Sequence, residues 1–303
     1  MGDSMRFIAI VLLLTACSAS SKPTADADEM VLLELAAANE CSKWQTLHPE
    51  WIFCDDFEST GPLVAAGRYF EYGDNDGGFV LRDSVGVRFS RGMRARWQVG
   101  EVGAGGFKLG FGRNPITYMD NGIRRDEDFH EVYYRMYLKH QEGWRGSPAK
   151  LSRATVFSAA NDWSQAMIAH LWSDAEEHLL LDPASCVRDG LVVCEGYNDF
   201  DRLRWLGFRS GQSAIFSTRE SGRWRCVEAH VRLNDKGEKN GVQEFWVDGQ
   251  LEARRDSLDF VGVYDDYALN AIFFENYWNA GSPIEQERYF DNIVVSTSPI
   301  GCR

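Results

Sequence analysis

The chain has 303 residues and a formal net charge of −13, with 45 acidic side chains against 32 lysines and arginines. No basic run interrupts this acidity, which excludes sequence-independent nucleic-acid binding; an anionic ligand has to be caught by a local basic cluster rather than steered from afar. The length suits one large all-β domain better than two domains.

At the N-terminus, Arg6 precedes the apolar run Phe7 to Leu14, which is too short to cross a bilayer, and Leu14-Thr15-Ala16-Cys17 follows directly. That tetrad resembles a bacterial lipobox. It predicts a signal peptide over 1–17, lipid attachment at Cys17 and membrane contact through that anchor alone. Ser18 in place of Asp points to the outer membrane of the cell envelope, facing the periplasm or the outside. An ordinary secretory signal with a chance cysteine is the alternative. Residues 18–40 read as a flexible tether with a short helix over Met30 to Ala38, and 41–303 as the folded domain.

Setting Cys17 aside leaves six of the seven cysteines, without a metal-binding Cys-x-x-Cys. An even set in an exported chain predicts disulfides, with about 15 possible connectivities. The spacing favours Cys41–Cys54 and Cys186–Cys194 as local loops, with Cys226–Cys302 tying the last strand to an inner one.

The predicted strands begin with Trp51 to Glu58, followed by a turn at Asp74 to Gly78. Val85 to Val99 reads as a strand or broken hairpin with Arg94 and Arg96 on one face. Glycine-rich Gly100 to Asn121 reads as a long loop. Phe129 to Lys139 alternates cleanly: Val132, Tyr134, Met136 and Leu138 on one face, Glu131, Tyr133, Arg135 and Tyr137 on the other. Thr155 to Ala160, Gln165 to Trp172 (with His170 and Trp172 on one face) and His178 to Leu181 follow. The C-terminal block is the most regular. Trp224 to Leu233 alternates, Asp248-Gly249 is a hairpin signal after Val242 to Val247, and Ala268 to Asn279 and Arg288 to Ser296 close the chain. The fold class is therefore all-β, an antiparallel β-sandwich.

Several segments carry a likeness. Phe53-Cys54-Asp55-Asp56-Phe57-Glu58, Tyr133-Tyr134-Arg135-Met136-Tyr137 and Trp224-x-Cys226-Val227-Glu228 contribute to it. So do Phe245-Trp246-Val247-Asp248-Gly249 and Tyr289-Phe290-Asp291-Asn292-Ile293-Val294-Val295-Ser296. Together, from Trp51 onward, they resemble concanavalin A-like jelly-roll proteins of the polysaccharide-lyase type: heparin-lyase-like, alginate-lyase-like and glucuronan-lyase-like domains.

The resemblance implies β-elimination on an acidic, uronate-containing polysaccharide in a concave groove, by a monomer with no organic cofactor. Such a reaction needs a group that neutralises the uronate carboxylate, a base for the C5 proton and an acid for the departing oxygen. Arg135, His170 and Tyr277 are the candidates; Tyr277 sits in a segment resembling the late strand that carries a tyrosine in alginate-lyase-like enzymes. Tyr133, Tyr137, Trp172, Arg94 and Arg96 are candidate substrate contacts. The bland alternatives are an Arg135–Glu131 ion pair and a hydrogen-bonded sheet histidine at His170. The resemblance also implies a structural calcium ion held by Glu58 and Asp291, with loop oxygens near Asp74 or Asp76. The Glu-x-Asp-x-x-Glu run of a jelly-roll glucanase is absent, as are Gly-x-Ser-x-Gly, a P-loop and His-Glu-x-x-His. A non-catalytic carbohydrate-binding lipoprotein is the alternative function, and an envelope structural protein a third.

Overall fold

The computed structural model describes residues 40–116, 122–160 and 162–302. The expected signal peptide, Cys17, the tether and the helix over Met30 to Ala38 lie outside the described residues. Two antiparallel sheets face each other. Sheet A has the order β16 (Gln250–Leu258), β15 (Gly241–Val247), β14 (Trp224–Arg232), β6 (Glu131–His140), β18 (Gln286–Ser296), β4 (Gly92–Trp97), β3 (Phe79–Arg82), with β1 (Trp51–Asp55) also on β18. Sheet B has the order β12 (Arg204–Trp205), β9 (Leu179–Ser185), β8 (Gln165–Ser173), β7 (Lys150–Phe157), β17 (Ala271–Tyr277), β5 (Gly103–Gly110), β2 (Tyr69–Gly73), with β13 (Arg209–Ser210) also on β9. A two-residue ribbon, β10 (Val187–Arg188) with β11 (Leu191–Val192), one helical turn, α1 (Trp44–Leu47), and two 3-10 turns (Val87–Phe89 and Thr218–Glu220) complete the described elements. This is the all-β sandwich that the alternation predicts.

Alternation decides which side chains meet between the sheets. Val227, Ala229 and Val231 of β14 and Val132, Tyr134 and Met136 of β6 point inward and are buried against Ile272 and Phe274 of β17 and Ala154 and Val156 of β7. Phe107 is the hub of an aromatic cluster, with Tyr69, Phe79 and Phe274 at ring separations of 4.3, 5.3 and 5.0 Å. Each such ring contributes on the order of 1.5–3 kcal/mol by burial. The Asp248-Gly249 hairpin forms as expected: both residues have positive φ (51° and 80°), and Val247 pairs with Gln250 across the two-residue loop.

The stretch expected to be a long loop after Gly100 contains strand β5 instead. Glycine here reflects close approach, not a turn: a Cβ on Gly106 would sit 2.6 Å from the Phe274 carbonyl oxygen. All three expected disulfides, Cys41–Cys54, Cys186–Cys194 and Cys226–Cys302, are formed.

Candidate functional site

The outer face of sheet B is a trough. Its floor is built from side chains that alternate away from the core: Glu275 and Tyr277 of β17, Lys150 and Arg153 of β7, His170 and Trp172 of β8, and Lys108 of β5. The loop that follows the Cys186–Cys194 disulfide supplies Tyr197, Asn198 and Phe200 from above.

Three adjoining cavities follow this face. The first, about 280 Å³, is lined by Glu71, Lys108, Tyr197, Glu275 and Tyr277 over the glycine floor of β5. The second, about 250 Å³, lies between Lys150, Trp172, Phe200, Trp205 and Tyr277. The third, about 330 Å³, shares Ala149 and Asn279 with the second and adds Asp174, Glu177 and Trp278. Tyr277 is common to the first two and is 39% exposed, so its side chain borders both. A larger cavity of about 530 Å³, with Arg219, Arg225 and Glu252 on its walls, contains none of the expected site residues.

Charges in the trough are mostly committed. Arg153 is fully buried and makes a forked pair with Glu275 (Nε to Oε2 2.8 Å, Nη2 to Oε1 2.7 Å), while its Nη1 donates to Asn198 Oδ1 at 2.6 Å. Tyr197 Oη donates to Glu275 Oε1 at 3.3 Å. Burial pushes the Glu275 carboxyl up, but the Arg153 guanidinium outweighs it and holds the group below the usual carboxylate range. Lys108 pairs with Glu71 and lies 4.7 Å from the centre of the Trp163 ring and 5.2 Å from that of Phe273. Lys150 differs. Among the described residues no carboxylate lies within ion-pair distance of it, and its ammonium sits 4.6 Å from the Tyr277 ring centre and 5.8 Å from that of Trp172. Burial lowers its pKa, against the opposing pull of Glu275.

His170 is fully buried at the back of this wall. Its Nδ1 lies 2.8 Å from the Asp182 carbonyl oxygen, and the rings of Trp172 and Trp205 cover it at 4.0 and 5.6 Å. Burial and the nearby Arg153 charge push its pKa well down, so it is neutral. Its Nε2 has no hydrogen-bond partner among the described residues. The hydrogen-bonded sheet histidine is the better description.

The structure thus brings His170, Trp172 and Tyr277 to one region and places Arg135 elsewhere. Arg135 lies on the outer face of sheet A and is fully buried: its guanidinium pairs with Glu40 rather than Glu131, and Nη1 donates to the Gly301 carbonyl at 3.0 Å. Residues 300–301 are held over this face, since Glu228 accepts the Ile300 and Gly301 amides at 2.8 and 2.9 Å. Tyr133 and Tyr137 share it; Tyr133 stacks 4.1 Å from His230, itself held between Glu131 and Glu244 at 2.8 Å each. Arg94 and Arg96 also belong to sheet A and pair with Glu287 (3.6 Å) and Glu285. The expectation that these five residues line the groove is corrected: alternation separates two faces of a strand but does not say which sheet has the open one. Trp278, which suits a sugar platform by type, is instead packed against Trp97 and Trp144 at 6.0 and 5.6 Å.

Sequence reading missed Lys150 and Arg153, because β7 begins five residues before the predicted strand and its register shifts between Lys150 and Ser152. A usable signal was present in Phe273-x-Glu275-x-Tyr277, where alternation alone puts Glu275 beside Tyr277.

Glu58 and Asp291 grip one turn from two sides. Asp291 is fully buried and accepts from Val87 N (2.6 Å), Ser90 Oγ (3.0 Å) and Asn292 N (2.8 Å), while Glu58 Oε1 accepts from Arg91 N at 2.8 Å. Within that turn Arg88 and Phe89 both have left-handed backbones, at φ 58° and 67°. Burial pushes the Asp291 carboxyl up to about 7, with Asp56 adding to the rise. Among the described residues no basic side chain pairs with Asp291, whose two oxygens are taken up by N–H and O–H donors. Asp74 and Asp76 do not contribute: their turn is at the opposite end of β4, where the Gly78 carbonyl takes the Arg96 amide. Among the described residues no group of three or more acidic, histidine or cysteine side chains is disposed for a metal, so main-chain oxygens would have to complete the shell.

No known family profile matches the chain, and no curated protein does. Solved structures do. A marine alginate lyase from Aplysia kurodai matches with a TM-score of 0.56 at 12% identity, over 82% of this chain and 99% of that one. An endo-β-1,4-glucuronan lyase from the fungus Trichoderma reesei matches at 0.53 and 13%, over 82% and 96%. An alginate lyase from a Chlorella virus matches at 0.51 and 11%, over 73% and 89%. The fold is that of the polysaccharide-lyase jelly rolls. At these identities the likeness establishes the fold alone.

Proposed function

We propose that this protein is a polysaccharide lyase that cleaves a uronate-containing polymer by β-elimination in the trough of sheet B. The observation that carries the proposal is Lys150, a cation with no carboxylate partner among the described residues, set 4.6 Å from the ring centre of the partly exposed Tyr277 at the junction of two adjoining cavities.

In this reading the Lys150 ammonium takes the uronate carboxylate and stabilises the negative charge that develops as the C5 proton leaves. The Tyr277 hydroxyl, both donor and acceptor, gives its proton to the glycosidic oxygen as it receives the C5 proton. The C5–H and C4–O bonds break, a C4=C5 double bond forms, the new chain end keeps the proton, and Tyr277 is returned unchanged. Trp172, Trp205 and Phe200 stack on the adjacent sugar. Arg153 and Glu275 hold the floor rigid, and His170 fixes Trp172 from behind.

The test is the ultraviolet absorbance of the unsaturated uronate during incubation with alginate, glucuronan, heparin and pectate. A rise with at least one polymer supports the lyase; binding on an affinity gel without any rise replaces it with a non-catalytic glycan-binding protein.

Two accessory features belong to the same proposal. Glu58 and Asp291 hold a structural calcium ion that offsets the buried negative charge on the Gly86–Arg91 turn. The domain is exported and tethered by a lipid at Cys17, in keeping with three disulfides that need an oxidising compartment. Cys17→Ser should release it from the membrane fraction.

A further inference from the structure

The charge pattern of the trough bears on which uronate polymer it accepts, an inference that rests on the lyase reading above. A chain in which every sugar is a uronate brings one carboxylate per subsite. Each needs a cation or a neutral hydrogen-bond donor, and each is repelled by a fixed carboxylate in the same low-dielectric cleft.

The first cavity carries Glu71 and Glu275. Its one lining cation, Lys108, is bound to Glu71, and Glu275 is bound from beneath by Arg153, which also holds Asn198. Arg153 is fully buried, and its pairing leaves no guanidinium edge for a ligand. The third cavity carries Asp174 and Glu177 and no basic residue. Between them, Lys150 is the one basic side chain of the second cavity, whose other large side chains are Trp172, Phe200, Trp205 and Tyr277. Aromatic walls suit the apolar faces of uncharged pyranoses and make no use of charge.

We infer that the trough accepts a single uronate, at Lys150 and Tyr277, flanked on both sides by uncharged sugars. The substrate class is then a heteropolysaccharide with isolated uronates, not a polyuronate. The discriminating element is the lack of an uncommitted cation in the first cavity, together with the carboxylates of the third, where no basic side chain lines the wall.

Four polymers separate the possibilities: alginate and glucuronan, in which every unit is a uronate, against hyaluronan and deacylated gellan, in which each uronate has uncharged neighbours. Initial rates of unsaturated-uronate formation should favour the second pair by at least about tenfold, one rejected contact being worth about 1.4 kcal/mol. Glu71→Gln, which removes one fixed charge and releases Lys108, should raise the rate on glucuronan by about the same factor. Equal or faster cleavage of glucuronan or alginate by the wild type overturns the inference, as does a Glu71→Gln rate on glucuronan that does not change.

If none of the four is cleaved, and neither heparin nor pectate is, the lyase reading falls; in either case calorimetric titration with hyaluronan and glucuronan oligosaccharides of equal length still decides the charge pattern. Tighter binding of the hyaluronan oligosaccharide upholds it. Equal affinity, or no binding of either, overturns it.

Discussion

The outer faces of the two sheets hold nearly the same residue types and differ in what covers them. Sheet A has Arg135, Tyr133, Tyr137 and His230; sheet B has Arg153, Tyr277, Tyr197 and His170. Each face contains a buried arginine–glutamate pair, Arg135–Glu40 on one and Arg153–Glu275 on the other. On sheet A, Glu40 and the Ile300–Gly301 tail close over the pair, and the histidine has a carboxylate on each ring nitrogen. On sheet B the pair forms a floor, and beside it Lys150 and Tyr277 remain open to solvent-filled space. The chemistry available to a ligand is set by the groups left without protein partners, not by the inventory of the strand.

Four substitutions or titrations probe this contrast. The largest effect is expected on sheet B. Tyr277→Phe removes only a hydroxyl from a partly exposed ring, and should lower the elimination rate by about 10²–10⁴-fold with the melting temperature unchanged. A variant that keeps more than about a tenth of the activity removes Tyr277 from the mechanism.

Arg135→Met should do the opposite. It removes the guanidinium from a buried ion pair on a sealed face and costs about 3–5 kcal/mol in urea unfolding, with the rate per folded molecule preserved. A large rate loss in the folded variant would transfer the active face to sheet A.

Next is the Asp291 corner. Its carboxyl is raised to about 7 by burial, so the folded state holds a proton that the unfolded chain releases near its ordinary value of 3.8. The group therefore lowers stability progressively as pH rises from about 4 to about 7, and acidification across that window relieves the cost. In melting curves with chelator, this component should vanish in Asp291→Asn. Added calcium should raise the wild-type melting temperature most above pH 7 and leave Asp291→Asn unaffected. A calcium-independent profile contradicts a cation at this corner.

The smallest effect belongs to Tyr133→Phe. Its hydroxyl makes one long contact, 3.5 Å to Glu131 on the closed face, and the elimination rate should stay within about twofold.

The sandwich was legible in the sequence because its signals are local. Alternation in Trp224–Leu233, the Asp248-Gly249 hairpin and the spacing of Cys186 and Cys194 all work over fewer than a dozen residues. Cys226–Cys302 was legible too, as the pair left over from two local loops. The site was legible only in part. Trp172 and His170 were reachable from a strand face, and Tyr277 through the likeness of its segment to the late strand of alginate-lyase-like enzymes. Arg135 was misplaced because its environment is made by Glu40 and Gly301, far away in sequence. Lys150 and Arg153 were hidden by a strand that starts with polar residues and a shifted register. Partners brought together by the return of the chain carry no local signature, and those partners decide which arginine is sealed and which lysine is free.

The most direct test of the account is a crystal structure of Tyr277→Phe with an uncleaved uronate-containing oligosaccharide. Sugar density is expected along sheet B, with one uronate carboxylate at Lys150 Nζ and its C5 facing residue 277. Density on the face of Arg135 and Tyr133, or an empty trough at saturating ligand, contradicts it.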